Sequence, residues 1–338
     1  MAASTPSKSP ALADVEDSFD AGSLGQALRR SHLAHAVDQI TEPWSNMILR
    51  AAFLGTRQFE SFQQLLGIPR QTLSLRLAYL VRLGVLRRQR RMPGSARHEY
   101  RLTPRGKDLY ANVLASWLWD RRWGDPHAQI PPRLVHLSCQ HSFKPQLVCE
   151  HCAEPLTLRA VQPCVPHVVR ADVSQNARSR GRRWRIPAQP TNGDLAERDI
   201  LAVIDDRWSL LIVAAIVLGA QRYDQLVEAL GISNSVLARR LQRLRELELL
   251  EKLPDPFDAR RSVYRLDKAG RALFPYLLTL ASWASNESGR VDSIRWVHRA
   301  CGKTAKGIMV CDHCHRPLLP NEVTLPGAAA HSMSPAAS

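Results

Sequence analysis

The chain has 338 residues, 45% of them hydrophobic and 23% charged, which is longer than one domain usually runs and too apolar for a disordered polymer. It has no run of about 18 apolar residues to span a bilayer, and residues 1–25 lack a signal peptide's apolar centre, so a cytoplasmic protein without a membrane partner is expected, whose 7 cysteines read as metal ligands or thiols before disulfides. The formal charge of +15 suggests a polyanionic partner, although 39 of the 46 basic residues are Arg, a skew that a GC-rich genome produces unaided.

In chain order, residues 1–25 carry no apolar pattern and are expected to be disordered. Residues 44–119 then align with residues 208–283 at a constant offset of 164, without a gap. Trp44 matches Trp208, Gly55 matches Gly219, Gly67-Ile68 matches Gly231-Ile232, Leu73 matches Leu237, Arg76-Leu77 matches Arg240-Leu241, Gly106 matches Gly270 and Trp119 matches Trp283. Apolar anchors and turn glycines repeat while surface positions do not, as in a duplicated fold.

In the first copy, Trp44, Met47, Ile48, Ala51 and Ala52 give a helix that stops at Gly55. Phe59, Phe62, Leu65 and Leu66 give a second, ended by Gly67. A third opens after Ile68-Pro69, with Leu73, Leu77 and Leu80 on one buried stripe and Gln71, Leu75, Ala78 and Arg82 opposite. Ser233 takes the place of Pro69 in copy two as an expected N-cap. Two helices meeting across a short turn predict a helix-turn-helix.

Residues 85–91 and 97–102 read as a two-stranded wing around Met92-Pro93-Gly94-Ser95, with a counterpart ending in residues 263–266. Thr103-Pro104 and Asp267 start a closing helix in each copy. Its apolar positions, Leu109, Val113, Leu114 and Trp117, exceed one face's need, so it has surface for a second domain as well.

A cluster follows each copy: His136-x-x-Cys139 and, nine residues on, Cys149-x-x-Cys152; then His298-x-x-Cys301 and, nine residues on, Cys311-x-x-Cys314. One imidazole and three thiols are the donors of a closed tetrahedral zinc site, so two zinc ions are expected, one in each appendage and both structural. His151 and His313 repeat inside the Cys-x-x-Cys loops and are poorly placed to bind the same ion; His141, His315 and Cys164 are read as bystanders.

The order of elements, with Trp44, Gly55, Phe59, Gly67-Ile68, Leu73, Arg76-Leu77, Leu80, Arg101-Leu102-Thr103 and Gly106, resembles the bacterial HxlR-type transcriptional regulators, twice over. The resemblance covers roughly residues 27–119 and 191–283. It implies winged helix-turn-helix folds, operator binding in the cytoplasm and dimeric assembly, here as an intramolecular pseudo-dimer of the two copies with a further homodimer left open. Family members often carry a redox-switch cysteine thirteen residues before the tryptophan; those positions hold Ser31 and Leu195, which argues against thiol sensing by that route.

The expected architecture is thus mainly α with small β-wings: disordered residues 1–25, winged domains at 26–125 and 194–290, zinc modules at 130–160 and 295–325, a basic linker at 164–193 and a disordered tail at 326–338. Double-stranded DNA is the expected partner. The recognition helix presents its N-terminal residues to the major groove, which nominates Arg70, Gln71, Ser74 and Leu75 in copy one, and Asn234, Ser235, Ala238 and Arg239 in copy two. Arg76 and Arg240 are candidate phosphate clamps, with a plain helix arginine as the alternative.

On the wings, Arg88, Arg90, Arg91 and Arg97 face Arg260 and Arg261 as phosphate ligands. Residues 87–101 carry net +5 and residues 251–265 net +1, so copy one is expected to grip harder. The linker arginines around Trp184 suit either a minor-groove arm or a solvated tether. A zinc- or redox-responsive regulator, and a protein- or RNA-interaction module, remain as alternatives. An enzyme is not expected, since neither cluster has the His-x-Glu and open coordination position of a zinc deaminase.

Overall fold

The computed structural model describes residues 20–91, 97–126, 131, 133–165, 199–204, 207–258, 260–288 and 292–326. The first half runs α1 (Ala21–Arg30), α2 (His32–Ile40), α3 (Pro43–Phe53), α4 (Phe59–Leu66), α5 (Arg70–Arg82), β1 (Leu86–Arg90), β2 (His98–Leu102), α6 (Pro104–Lys107), α7 (Tyr110–Trp123), β3 (Leu134–His136), β4 (His141–Phe143), β5 (Pro145–Cys149) and β6 (Val161–Cys164). The second half runs α8 (Ile200–Val203), α9 (Arg207–Val217), α10 (Tyr223–Leu230), α11 (Asn234–Glu246), β7 (Leu250–Pro254), β8 (Ser262–Leu266), α12 (Lys268–Arg271), α13 (Phe274–Ser288), β9 (Arg295–His298), β10 (Gly307–Cys311) and β11 (Val323–Thr324).

Each copy is a helix-turn-helix, α4–α5 or α10–α11, followed by an antiparallel wing, β1–β2 or β7–β8. Gly67 and Gly231 end the first helix of each pair at φ +60°, a backbone conformation that L side chains other than Asn and Asp rarely adopt. The leucine stripe of α5 (Leu73, Leu77, Leu80) and that of α11 (Leu237, Leu241, Leu244) are buried as their spacing requires. Thr103 caps α6 through the Gly106 N–H at 3.0 Å and Asp267 caps α12 through Gly270 N–H at 2.8 Å. A Cβ on Gly106 or Gly270 would lie 2.1 or 2.3 Å from the carbonyl of Val85 or Leu249, so both wings close against a helix start only because glycine stands there. Ser233 occupies the N-cap position of α11, but its side chain makes no capping hydrogen bond.

The two copies pack on each other around a local two-fold. Trp119 Nε1 donates to Ala269 O at 3.0 Å, and Trp283 Nε1 donates to Arg105 O at 3.1 Å. Residues 105 and 269, like 119 and 283, are equivalent positions, so the contact is isologous. At the axis Asn112 Nδ2 donates to the carbonyl of Tyr276, its own equivalent, at 3.0 Å. This is the second surface that the closing helix's extra apolar residues anticipated.

The N-terminal helices belong to the same exchange. The sequence predicts disorder over residues 1–25, yet Asp20 caps α1 through the N–H groups of Gly22 and Ser23, and Leu24 and Leu28 are buried. The helix lies against α10 of copy two so closely that a Cβ on Gly25 would come within 2.5 Å of Ala229 O. Reciprocally, Ile200 at the start of α8 donates its N–H to Asp120 Oδ1 of copy one at 2.8 Å. The basic linker lies outside the described residues except for Cys164, which forms part of β6, and Val165. No helix among the described residues is long and apolar enough to cross a membrane.

Candidate nucleic-acid interface and metal centres

Burying the leucine stripe turns the N-terminal face of each recognition helix outward. Arg70, Gln71, Ser74 and Leu75 are exposed, as are Asn234, Ser235, Ala238 and Arg239. Leu75 is 56% exposed although apolar, which suits contact with a thymine methyl in a major groove. The first residue of each helix is steered from one equivalent position. Phe59 lies under the Arg70 guanidinium at 4.9 Å, and Tyr223, at the matching place, donates its hydroxyl to Asn234 O at 2.8 Å.

Arg76 is not on that face. It is 5% exposed and pairs through Nη2 with Glu42 Oε1 at 3.2 Å. The clamp reading of Arg76 is therefore corrected: its guanidinium is consumed holding α5 to the start of α3 and does not reach a phosphate. Arg240 is half-buried.

On the wings, Arg88, Arg90, Arg91 and Arg97 are exposed, as are Arg260 and Arg261. Arg261 is engaged with Asp258 at 3.2 Å, whereas Arg88 contacts His98 Nδ1 at 3.2 Å and so keeps its charge uncompensated. Glu99 faces inward, accepting from Arg101 Nε at 2.7 Å and Gln89 Nε2 at 2.6 Å; these donors hold its carboxyl below the usual range. Tyr100 N–H bonds Arg57 O at 2.8 Å, tying the wing to the loop before α4. That contact brings exposed Arg57 beside Arg91 and Arg101 along an open polar groove.

Sequence reasoning passed over Arg57, because it stands in a short loop with no periodic signal. It also passed over Phe257, which is 97% exposed at the tip of the second wing, with its N–H held by Asp255 Oδ1 at 2.9 Å.

The histidines and cysteines nominated as metal ligands do come together in two clusters, but their partners are exchanged between the copies. His136 and Cys139 meet Cys311 and Cys314; Cys149 and Cys152 meet His298 and Cys301. The expectation of one site per appendage is overturned, and the strands show why. β5 pairs antiparallel with β10 so that Leu147 faces its equivalent Met309, with Cys149 opposite Gly307 and Cys311 opposite Pro145. Meanwhile β11 joins β3, and β6 joins β9. Each Cys-x-x-Cys knuckle is thereby carried across the axis to the other copy's His-x-x-Cys knuckle.

All four knuckles have one backbone form. The residue after the second ligand (Gln140, Ala153, Gly302 or His315) has φ between 56° and 67°. Its N–H returns to the carbonyl of the first ligand at 2.7 to 2.9 Å. Three of these are not glycine, a strained conformation that persists where its surroundings fix it.

The donors fit zinc. A tetrahedron with Zn–S of about 2.3 Å and Zn–N of about 2.0 Å has S···S edges of about 3.8 Å and N···S edges of about 3.5 Å. In the first site, Cys139 Sγ lies 3.9 Å from Cys311 Sγ, and His136 Nδ1 lies 3.6 and 3.3 Å from Cys139 and Cys314. In the second, Cys149 Sγ lies 3.9 Å from Cys301 Sγ, and His298 Nδ1 lies 3.3 and 3.5 Å from Cys152 and Cys301. The Lys303 amide N–H lowers the Cys301 thiol to about 7 and the Arg316 amide lowers that of Cys314, whereas burial raises that of Cys311, and burial with the neighbouring thiols raises that of Cys152 against the Glu154 amide. On the far side of the first imidazole, His136 Nε2 lies 3.7 Å from the Glu322 carboxylate, beyond hydrogen-bond reach.

Residues 39–128 and 203–292 each match the model of one family, described as HxlR-like helix-turn-helix. The chain belongs to this family. It is 40% identical over 157 residues to the Uncharacterized HTH-type transcriptional regulator MT3179 of Mycobacterium tuberculosis (strain CDC 1551 / Oshkosh), a match spanning 45% of this chain and 91% of the relative. It is 29% identical over 84 residues to the HTH-type transcriptional regulator YodB of Bacillus subtilis (strain 168), spanning 25% of this chain and 75% of YodB. Among solved structures, PA1374 from Pseudomonas aeruginosa aligns at 25% identity and a TM-score of 0.29, over 43% of this chain and 94% of that one. The tandem HxlR-like arrangement thus accounts for both winged units.

Proposed function

We propose that this HxlR-like chain is a cytoplasmic, sequence-specific regulator of transcription that grips double-stranded DNA with both copies at once, the family's paired reading heads being supplied by one polypeptide. The observation that carries this reading is the reciprocal packing of two helix-turn-helix units whose reading faces and wings remain exposed. Arg70, Gln71, Ser74 and Leu75 would read one half-site and Asn234, Ser235, Ala238 and Arg239 the other, while the wing arginines and Arg57 contact phosphates.

Since the two sets of readers differ at every position, the preferred operator is an imperfect palindrome with half-sites about 34 Å apart. Selection of bound duplexes from a random pool tests this. Enrichment of two unlike half-sites at that spacing supports it; enrichment of a perfect palindrome, of one half-site alone or of no sequence counts against it.

In the same reading, two zinc ions with four protein ligands each are structural and leave no open position for water. Because every site draws on both copies, the ions join the reading heads rather than stiffen separate appendages. This gives the zinc-responsive alternative a concrete form, in which loss of metal frees the heads from a common spacing. Operator affinity measured against buffered free zinc distinguishes the two: a structural ion leaves affinity flat until the fold is lost, and a sensed ion grades it while both domains stay folded.

A further inference from the structure

The second wing carries at its tip a large apolar side chain that packs on nothing. Phe257 is 97% exposed, whereas Leu65, the next most exposed large hydrophobic among the described residues, is 60% exposed. The loop is built to hold the ring out. Pro254 and Pro256 restrict the backbone on either side of Asp255. The Asp255 N–H donates to Arg261 O at 3.0 Å, and its Oδ1 accepts the Phe257 N–H at 2.9 Å. Asp258 Oδ1 accepts the Arg260 N–H at 3.0 Å, and Asp258 O accepts the Arg261 N–H at 2.9 Å. A tip fixed on both sides of the ring loses little freedom when the ring is engaged.

We infer that Phe257 is a wedge, which enters the minor groove beside the copy-two half-site, slides between two stacked base pairs and kinks the duplex there. The inference rests on the DNA-binding reading and adds to it a specificity-determining residue. Position carries it first. The Tyr264 N–H bonds Gln221 O at 2.8 Å, so the second wing is anchored to the loop that opens α10, and a duplex lying along the exposed start of α11 runs past its tip. Charge agrees. Asp255 is buried and Asp258 pairs with Arg261 Nε at 3.2 Å, which blunts the two acids of the tip, while Arg260 and Arg261 stand exposed beside the ring for the flanking phosphates.

The two wings then work differently. Residues 87–101 carry net +5 and residues 251–265 net +1, so copy one holds by charge and copy two by insertion; Pro93, at the position equivalent to Phe257, has no aromatic ring to stack on a base pair. Unstacking is easiest at pyrimidine–purine steps, TA and CA/TG. Phe257 therefore selects such a step on the flank of one half-site, about five base pairs from its centre, half a helical turn away.

The test repeats the random-pool selection with full-length wild type, Phe257→Ala and Phe257→Leu. Wild type and Phe257→Leu are expected to enrich the step on one flank, and Phe257→Ala to enrich both half-sites without it, its urea midpoint unchanged because the ring is exposed. In the selected duplex, 2-aminopurine placed at that step is expected to brighten several-fold with wild type and not with Phe257→Ala. The inference is overturned if wild type enriches no such step, if Phe257→Ala enriches it equally, or if 2-aminopurine stays dim under wild type. It is overturned too if Phe257→Ala lowers the mass of the free chain in light scattering, since the ring then covers a second copy. A pool in which wild type enriches no sequence at all sinks the DNA-binding reading itself; two half-sites without the step sink only the wedge.

Discussion

Two arginines at the edge of α5 show how far burial outweighs residue type. Arg76 and Arg70 stand six positions apart, but Arg76 is sealed against Glu42 while Arg70 is exposed over Phe59. Replacing Arg76 with Ala breaks a largely buried pair and is expected to cost about 2–4 kcal/mol, read as a lower urea midpoint, with the salt dependence of DNA binding unchanged. Neutralising Arg88, Arg90 and Arg91 is expected to do the reverse: stability holds, affinity falls further than on neutralising Arg260 and Arg261, and the salt slope drops by about 0.9 per lost phosphate contact. Equal losses from the two wings in a salt titration would remove that asymmetry. Phe257, nearly fully exposed and fixed at its N–H by Asp255, suits an apolar wedge at the minor groove. Phe257→Ala is expected to weaken duplex binding several-fold without moving the unfolding midpoint.

A buried acid adds a pH dependence at the same scale. Burial pushes the Asp120 carboxyl up to about 7; Arg50, 2.7 Å away, opposes this and nearby Asp199 adds to it. The unfolded carboxyl titrates near 3.9, so between about pH 4 and 7 the folded chain holds a proton that the unfolded chain has lost. Stability from this group therefore falls as pH rises through that window, by at most about 1.4 kcal/mol per pH unit, and levels off above it. Urea unfolding of wild type and Asp120→Asn across the window checks the sign; a difference that widens in wild type's favour with rising pH would refute it.

Among elements, the helix-turn-helix pairs, wings and closing helices are legible in sequence because leucine spacing and turn glycines depend only on neighbours along the chain. The start of α1 was not. Ala21 to Gly25 is short and small-residued, and what makes it a helix is Asp20 at its cap and the α10 surface some two hundred residues away. The burial of Arg76 was hidden for the same reason, since it depends on where Glu42 sits. Gly25→Val is expected to push α1 off α10, seen as faster amide exchange in Tyr223–Leu230. Gly307→Val meets Leu147, whose Cδ1 would lie 2.7 Å from the new Cβ, and is expected to part β5 from β10 and lower the retained metal.

For the whole molecule, the His-x-x-Cys and Cys-x-x-Cys clusters were readable in sequence and their partnership was not. The two clusters have the same spacing, so pairing within a copy and pairing across the axis satisfy the same pattern; the pairing of β5 with β10, of β11 with β3 and of β6 with β9 decides between them. A chain nicked within residues 166–198 is expected to elute as one particle with zinc, held by both crossed sites and the α7–α13 contact. Thorough chelation is expected to weaken that association. Halves that part equally readily with and without metal would show that the ions do not join them.

Crossed ligation also bears on how the protein is made. As the ribosome releases the first half, His136, Cys139, Cys149 and Cys152 emerge as two incomplete sets whose complements are still unsynthesised. Under the proposed zinc binding, neither set is complete until the C-terminal knuckles follow some 160 residues later in translation. Loss of either duplicated segment would strand the other's cysteines, which ties the two halves of the gene to a shared fate even as their reading surfaces diverge.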